Sequence, residues 1–187
     1  MKIILGFVGQ AGSGKGTAAN TLRLKHGATV YAFGDILHDI LNRLFLPPSR
    51  DFLIKLSQTL RQTFGQDALA NAMEKQVDES RAELIVVDGI RRPEDIEDLR
   101  KNPSFHLIEI SASPETRFER LKKRGEKPDE AAMTWEDFLA MSQRETEATI
   151  AAVAAQAEKK ITNEGDLAAL EKQIEELVAG LRQSASC

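Results

Sequence analysis

The sequence predicts an α/β fold in three layers, a five-stranded parallel sheet flanked by helices. Three observations carry that reading. Short β-rich runs alternate with longer helix-compatible stretches along the chain, the pattern of strands joined by crossover helices. The first run, Ile3–Val8, is apolar almost without interruption, as strands covered on both faces are. It leads into a glycine-rich loop and then a helix-compatible segment.

The expected strands are Ile3–Val8, 29–33, Leu84–Asp88, Phe105–Ser111 and 160–163, each followed by a helical pattern. Six or seven apolar residues are too few for an export or membrane segment, so the first run reads as a buried strand. Residues 37–80 do not fit a minimal alternating fold. They are helical in pattern, with Phe52, Leu56 and Leu60 four apart after a Pro47-Pro48 break, and read as an insertion. Ser113-Pro114 supplies a cap and a first-turn proline, after which Phe118 and Leu121 give a buried face. Residues 124–135 are polar and broken by glycine and proline, which suits a mobile loop. The last helix is capped by Asp166 and lines up Leu167, Leu170, Ile174, Leu177 and Leu181.

With 187 residues and 42% hydrophobic content, the chain fits one domain, 1–187, that holds both insertions. A net charge of −4 argues against bulk nucleic acid as a partner, because backbone-phosphate binding needs a large basic surface. Phosphate recognition must then be local. Cys187 is the only cysteine, so a disulfide framework and a cysteine metal site are excluded, as expected for a cytoplasmic protein. His26, His38 and His106 have no metal-ligand spacing. No stretch reaches transmembrane length, and a monomer or homodimer is expected.

The loop Gly9-Gln10-Ala11-Gly12-Ser13-Gly14-Lys15-Gly16-Thr17 matches G-x-x-x-x-G-K between a strand and a helix, the context of a P-loop NTPase fold. Its glycines let successive N–H groups turn toward a triphosphate. Lys15 adds a point charge, and the following helix presents its positive end to the same anion. A plain strand-to-helix turn needs neither the lysine nor the glycines. Because Gly16 follows Lys15, the hydroxyl arrives one step later at Thr17, so magnesium contact through water from Thr17 or Ser13 is as plausible as direct ligation.

Other candidates have physical readings of their own. Asp88 closes an apolar strand, where a carboxylate can hold magnesium or its water, or simply cap the next turn. Arg91 and Arg92 leave the carboxyl end of that strand, where open sheets bind ligands and a guanidinium fork can grip an acceptor phosphate. Arg120 and Arg124, four apart, share a helix face, though on a generally charged surface. Arg144 is a further candidate for charge stabilisation. Arg61 can add a charge from the insertion, although an ordinary surface arginine explains it as well.

Five blocks resemble the adenylate-kinase-like branch of P-loop kinases, which includes nucleoside monophosphate, phage-type deoxynucleotide and dephospho-coenzyme A kinases. They are the Gly14-Lys15-Gly16-Thr17 ending, Gly34-Asp35, Asp88-Gly89-Ile90-Arg91-Arg92, Arg120-Leu121-Lys122-Lys123-Arg124 and Ile161-Thr162-Asn163-Glu164-Gly165. The resemblance covers nearly the whole chain. It implies ATP as donor with Mg2+, Arg120 with Asn163 and Gly165 beside the donor nucleotide, and Arg124 and Arg144 on the transferring group. It also implies a lid at 124–135, a helical acceptor-binding insertion at 37–80, and Asp35, Arg61, Arg91 and Arg92 around a small phosphate-bearing acceptor. His38 stands where adenylate kinases have a phosphate-binding arginine, which leaves AMP specificity in doubt. The expected activity is phosphorylation of a nucleoside or deoxynucleoside monophosphate. Its alternatives are alcohol phosphorylation of the dephospho-coenzyme A kinase type, with Asp35 as base, and a P-loop ATPase or switch.

Overall fold

The computed structural model describes residues 2–124, 132–143 and 145–184. Strands β1 (Ile3–Val8), β2 (Thr29–Ala32), β3 (Leu84–Asp88), β4 (Phe105–Ser111) and β5 (Lys159–Thr162) form one parallel sheet in the order β2-β3-β1-β4-β5. The central place of β1 accounts for its composition, since every one of its residues is buried. Gly6 is required there because a Cβ would come within 2.6 Å of the Phe105 ring.

Among the described residues eight α-helices surround the sheet: α1 (Lys15–His26), α2 (Phe33–Arg43), α3 (Arg50–Phe64), α4 (Ala68–Glu79), α5 (Pro114–Arg124), α6 (Trp135–Ser142), α7 (Glu145–Ala154) and α8 (Leu167–Ser184). On one face, Ala18 and Leu22 of α1 and Leu170, Ile174 and Leu177 of α8 pack against Leu5, Phe7, Ile108 and Ile110. On the other, Leu37, Met73 and Val153 of α2, α4 and α7 pack against Ile4, Val8, Val87 and Leu107. Each fully buried aliphatic or aromatic side chain contributes about 1.5–3 kcal/mol, so the two cores dominate stability.

Several expected boundaries shift. Phe33 does not end β2. Its ring is buried and its backbone opens α2, which places Gly34 and Asp35 in the first turn of that helix. Residues 37–80 fall on three helices, the first starting at Phe33. The chain leaves α2 through Phe45, whose φ of 55° is left-handed, passes Pro47-Pro48, and restarts where the Ser49 hydroxyl accepts from Phe52 N–H at 3.3 Å. β5 stops at Thr162, one residue before Asn163. In α8, Leu167 is 54% exposed while the other four predicted leucine and isoleucine positions are buried.

The stretch 124–135 begins and ends on helices. Arg124 closes α5 and Trp135 opens α6, whose cap is Thr134; residues 125–131 and Arg144 lie outside the described residues. Trp135 stacks on Phe138 at 5.2 Å and meets Phe118 edge-on at 5.2 Å, so α6 is anchored on α5. Phe118 is therefore only half-buried, and Arg117 takes the buried place beside Leu121 that was expected of it. No helix among the described residues is long and apolar enough to cross a membrane.

Phe138 is fully buried at the centre of that aromatic group. Phe138→Ala is expected to lower stability by about 3–5 kcal/mol. Urea unfolding should then show a lower midpoint with an unchanged slope.

Candidate phosphate-binding and acceptor sites

The loop between β1 and α1 is shaped by close approaches. A Cβ on Gly9 would lie 2.1 Å from the Ile110 carbonyl oxygen, and one on Gly14, at φ 99°, would lie 2.2 Å from Asn163 Nδ2. Lys15 begins α1, and its Nζ donates to the Gly9 carbonyl and, at 3.2 Å, to the Gln10 carbonyl. Ser13 is buried, and its Oγ has no hydrogen-bond partner among the described residues. A buried hydroxyl left over at a phosphate loop fits a site completed by a ligand oxygen or water. A cavity of about 260 Å³ opens beside the loop, lined by Gly9, Gln10, Ser13, Ser111, Arg117 and Ala154 among others.

On the β4–β5 side the loop is tied down from three directions. Asn163 is buried; its backbone N–H donates to Ser111 O at 2.8 Å and its Nδ2 to Ser13 O at 2.9 Å. Arg120 donates to the Asn163 carbonyl at 2.9 Å, to its Oδ1 at 3.3 Å and to Gly165 O at 3.2 Å. Arg117 donates to Ala11 O at 3.3 Å and lies over the Phe138 ring at 5.1 Å. Glu164 accepts from Thr116 Oγ1 at 2.7 Å and from Ser113 N–H, and these bonds, the hydroxyl first, hold its carboxyl below the usual range. A lowered carboxyl stabilises the fold above its unfolded value and loses that contribution as pH falls through the folded one.

On the β1–β3–β2 side, register brings the carboxyl ends together. Gly6 pairs with Val87, and Ala32 with Asp88. The phosphate loop, Asp88 and Asp35 therefore emerge at one edge of the sheet. Asp88 Oδ1 accepts from Gly89 N–H at 2.7 Å. Asp35 is exposed in the first turn of α2, and Gly16 and Thr17 are exposed in the first turn of α1. Arg91 and Arg92 are exposed, and neither guanidinium pairs with a carboxylate among the described residues. Their backbone N–H groups both donate to Asp95 Oδ2 at 3.0 Å. Arg61 is not a surface charge: it is buried, with Nη2 on Asp95 Oδ1 at 3.0 Å and Nη1 on Gln66 O at 2.6 Å.

The oxygen donors Thr17, Ser13 and Asp88 suit magnesium, which keeps several waters and needs only one or two protein oxygens beside phosphate. Among the described residues no cluster of three His, Cys, Asp or Glu side chains forms a preassembled metal cage.

Sequence reasoning missed Arg117, Asp95 and Glu164. Arg117 carried a faint signal, sharing a helical stripe with Arg120 and Arg124. Asp95 carried another, an acid three residues after Arg92 with Pro93 at the first helical position. Replacing Asn163 with Asp would turn a carboxylate oxygen toward the Ser13 carbonyl. The expected loss is about 1–3 kcal/mol in chemical denaturation.

Residues 8–138 match the AAA domain family. A UPF0200 protein of Methanoculleus marisnigri is 33% identical over 182 residues, covering 97% of each chain. Another, from Staphylothermus marinus, is 32% identical over 168 residues, 89% of this chain and 87% of the relative. Among solved structures, shikimate kinase from Bacteroides thetaiotaomicron superposes with a TM-score of 0.63 at 14% identity, covering 95% of this chain and 98% of that one. TT1252 from Thermus thermophilus gives 0.61 at 20% identity, covering 96% and 98%. The likenesses to these two solved structures are of fold alone, a P-loop kinase-like α/β fold. Matched to such relatives over nearly its whole length, the chain belongs to the UPF0200 protein family and carries an AAA domain with a P-loop kinase-like fold.

Proposed function

We propose that this chain is a cytoplasmic, ATP-dependent phosphotransferase acting on a small acceptor that already carries a phosphate, a nucleoside or deoxynucleoside monophosphate above all. One observation carries the reading. The phosphate loop and the Arg91–Arg92 pair emerge from the hydrogen-bonded neighbours β1 and β3 at the same edge, and the two guanidinium groups have no carboxylate partner among the described residues. A donor triphosphate on one side and an acceptor phosphate on the other would be aligned by adjacent strands.

Phosphoryl transfer asks a protein for alignment and positive charge more than for covalent chemistry. Loop N–H groups would cradle the donor phosphates, and Lys15 Nζ would exchange its carbonyl partners Gly9 and Gln10 for phosphate oxygens. Arg91 and Arg92 would grip the acceptor phosphate bidentately. Thr17 and Asp88, directly or through waters, would hold magnesium, which would supply charge neutralisation at the donor oxygens when bound. Residues 124–135 would act as the lid, Arg124 and Arg144 would add positive charge for the transferring group, and the helices of 37–80 would cover the acceptor. Arg120, Asn163 and Gly165 would form the wall against which the donor base rests.

A second reading rests on Asp35, an exposed carboxylate at the same sheet edge. If the acceptor were an alcohol, Asp35 would take its proton. With a monophosphate acceptor the nucleophile is mostly ionised at neutral pH, its second pKa being about 6, and no base is needed.

Lys15→Ala is expected to lower kcat/KM by roughly 30- to 1000-fold, about 2–4 kcal/mol of transition-state stabilisation, without unfolding the chain. Near-normal turnover in that variant would remove the phosphate-loop assignment. The acceptor is found by screening transfer from ATP to nucleoside and deoxynucleoside monophosphates and dephospho-coenzyme A. Hydrolysis that none of them redirects or stimulates would point to an ATPase instead. On the best acceptor, Asp35→Asn is expected to lower kcat by less than about tenfold; a loss of roughly 10²–10⁴-fold would identify a general base and an alcohol acceptor.

A further inference from the structure

Asp95 lies at the end of a short 3₁₀ turn, Pro93–Asp95, immediately after the two arginines, and its carboxylate is 2% exposed. Both of its oxygens are occupied. Oδ2 accepts the backbone N–H groups of Arg91 and Arg92, each at 3.0 Å, and Oδ1 accepts from Arg61 Nη2 at 3.0 Å. The other arm of Arg61 holds the Gln66 carbonyl, in the turn between α3 and α4. One carboxylate thus fastens two consecutive amides of the β3 loop to the helical segment 37–80.

A burial of this kind is costly unless every hydrogen-bonding group is met, and a buried ion pair seldom adds net stability over apolar packing. Its geometric effect is plain. With both amides directed at Asp95, the backbone of Arg91–Arg92 has a single orientation, while their side chains stay exposed with no carboxylate partner among the described residues. A loop held by its N–H groups and offering two neighbouring guanidinium groups is a pre-organised receptor for a phosphate monoester dianion, since two forks can be satisfied only by an acceptor with several anionic oxygens. A neutral alcohol would leave them unused.

We propose that Asp95 is a positioning residue which, clamped by Arg61, orients Arg91 and Arg92 to recognise the phosphate of a monophosphate acceptor. The inference rests on the phosphotransferase reading above and adds to it the acceptor's recognised group. It also gives Arg61 a role: it acts on the acceptor through Asp95 and the two amides, and does not itself touch the acceptor.

The test is Asp95→Asn, an isosteric change that turns an NH₂ toward either the two amides or the guanidinium. With the best acceptor from the screen, KM for the acceptor is expected to rise at least about tenfold, while KM for ATP and kcat stay within about threefold. Hydrogen exchange at the Arg91 and Arg92 amides should accelerate. Inorganic phosphate, titrated into protein saturated with Mg-ADP, should bind at least about tenfold more weakly than to the wild type. Faster amide exchange with unchanged acceptor KM and phosphate affinity would overturn the proposal, as would equal losses in both KM values. If Asp95→Asn does not fold, Asp95→Glu keeps the charge beside Arg61, displaces the oxygen from the amides and is read in the same way. If the wild type phosphorylates no acceptor, the kinase reading fails, and the phosphate titration alone then decides for or against the clasp.

Discussion

The phosphate-loop side of this fold depends on Asn163. Four of its groups are committed: backbone N–H to Ser111, backbone carbonyl and Oδ1 to Arg120, and Nδ2 to Ser13. Through them the end of β4, helix α5 and the phosphate loop are held in one arrangement by a residue 150 positions from the loop it supports. The tie also dictates sequence elsewhere. Gly14 must lack a side chain because the Asn163 amide occupies the place of its Cβ, and its left-handed φ then starts α1 with the first turn open to ligand. A satisfied buried amide of this sort stabilises and specifies at once, because any loss of register would leave several polar groups unpaired.

The proposed acceptor side uses a different device. Where the donor loop is fixed by a neutral amide bonding to a carbonyl, the β3 loop is fixed by a carboxylate bonding to two N–H groups, with Arg61 as its counter-charge. The choice suits each partner. In the proposed function the loop turns N–H groups toward phosphate, and Asn163 holds it by the Ser13 carbonyl. The β3 loop offers side chains, so its N–H groups are available for anchoring. The same logic places Glu164 on the Ser113 and Thr116 cap of α5, away from the loop interior.

The strands themselves and the phosphate loop were legible because both are written in local pattern: apolar runs in the strands, glycines and a lysine at fixed spacing in the loop. The amphipathic stripe of α8 was legible for the same reason, apart from Leu167, which is exposed in its first turn. What escaped were polar residues whose partners are distant in the chain. Arg61 reads as a surface charge on a helix until Asp95, 34 residues on, is seen beside it. Arg117 reads as one charge among many on α5, yet Phe138 covers it and Ala11 accepts from it. Phe33 reads as the last residue of a strand because aromatic residues favour strands, but Ala32 is the last extended residue and Phe33, buried in the core, starts α2.

Two glycines separate the demands of the polypeptide from those of its ligand. At Gly6, Gly9, Gly12 and Gly14 an added Cβ would meet protein atoms at 2.1–2.7 Å, so the fold itself excludes other residues. At Gly16 and Gly34 nothing lies within 4 Å, and neither has the positive φ that would call for glycine. Both sit in the first turns of helices, where glycine costs up to about 1 kcal/mol relative to alanine. Gly180 in α8 has the same freedom, so freedom alone implies nothing. Position makes the difference: Gly16 and Gly34 open the two helices that begin at the carboxyl edge of β1 and β2, on either side of β3. The packing of the chain gives no reason for bare backbone at these two points. The proposed function does give one: phosphate groups brought to the sheet edge, the donor's beside Gly16 and the acceptor's beside Gly34.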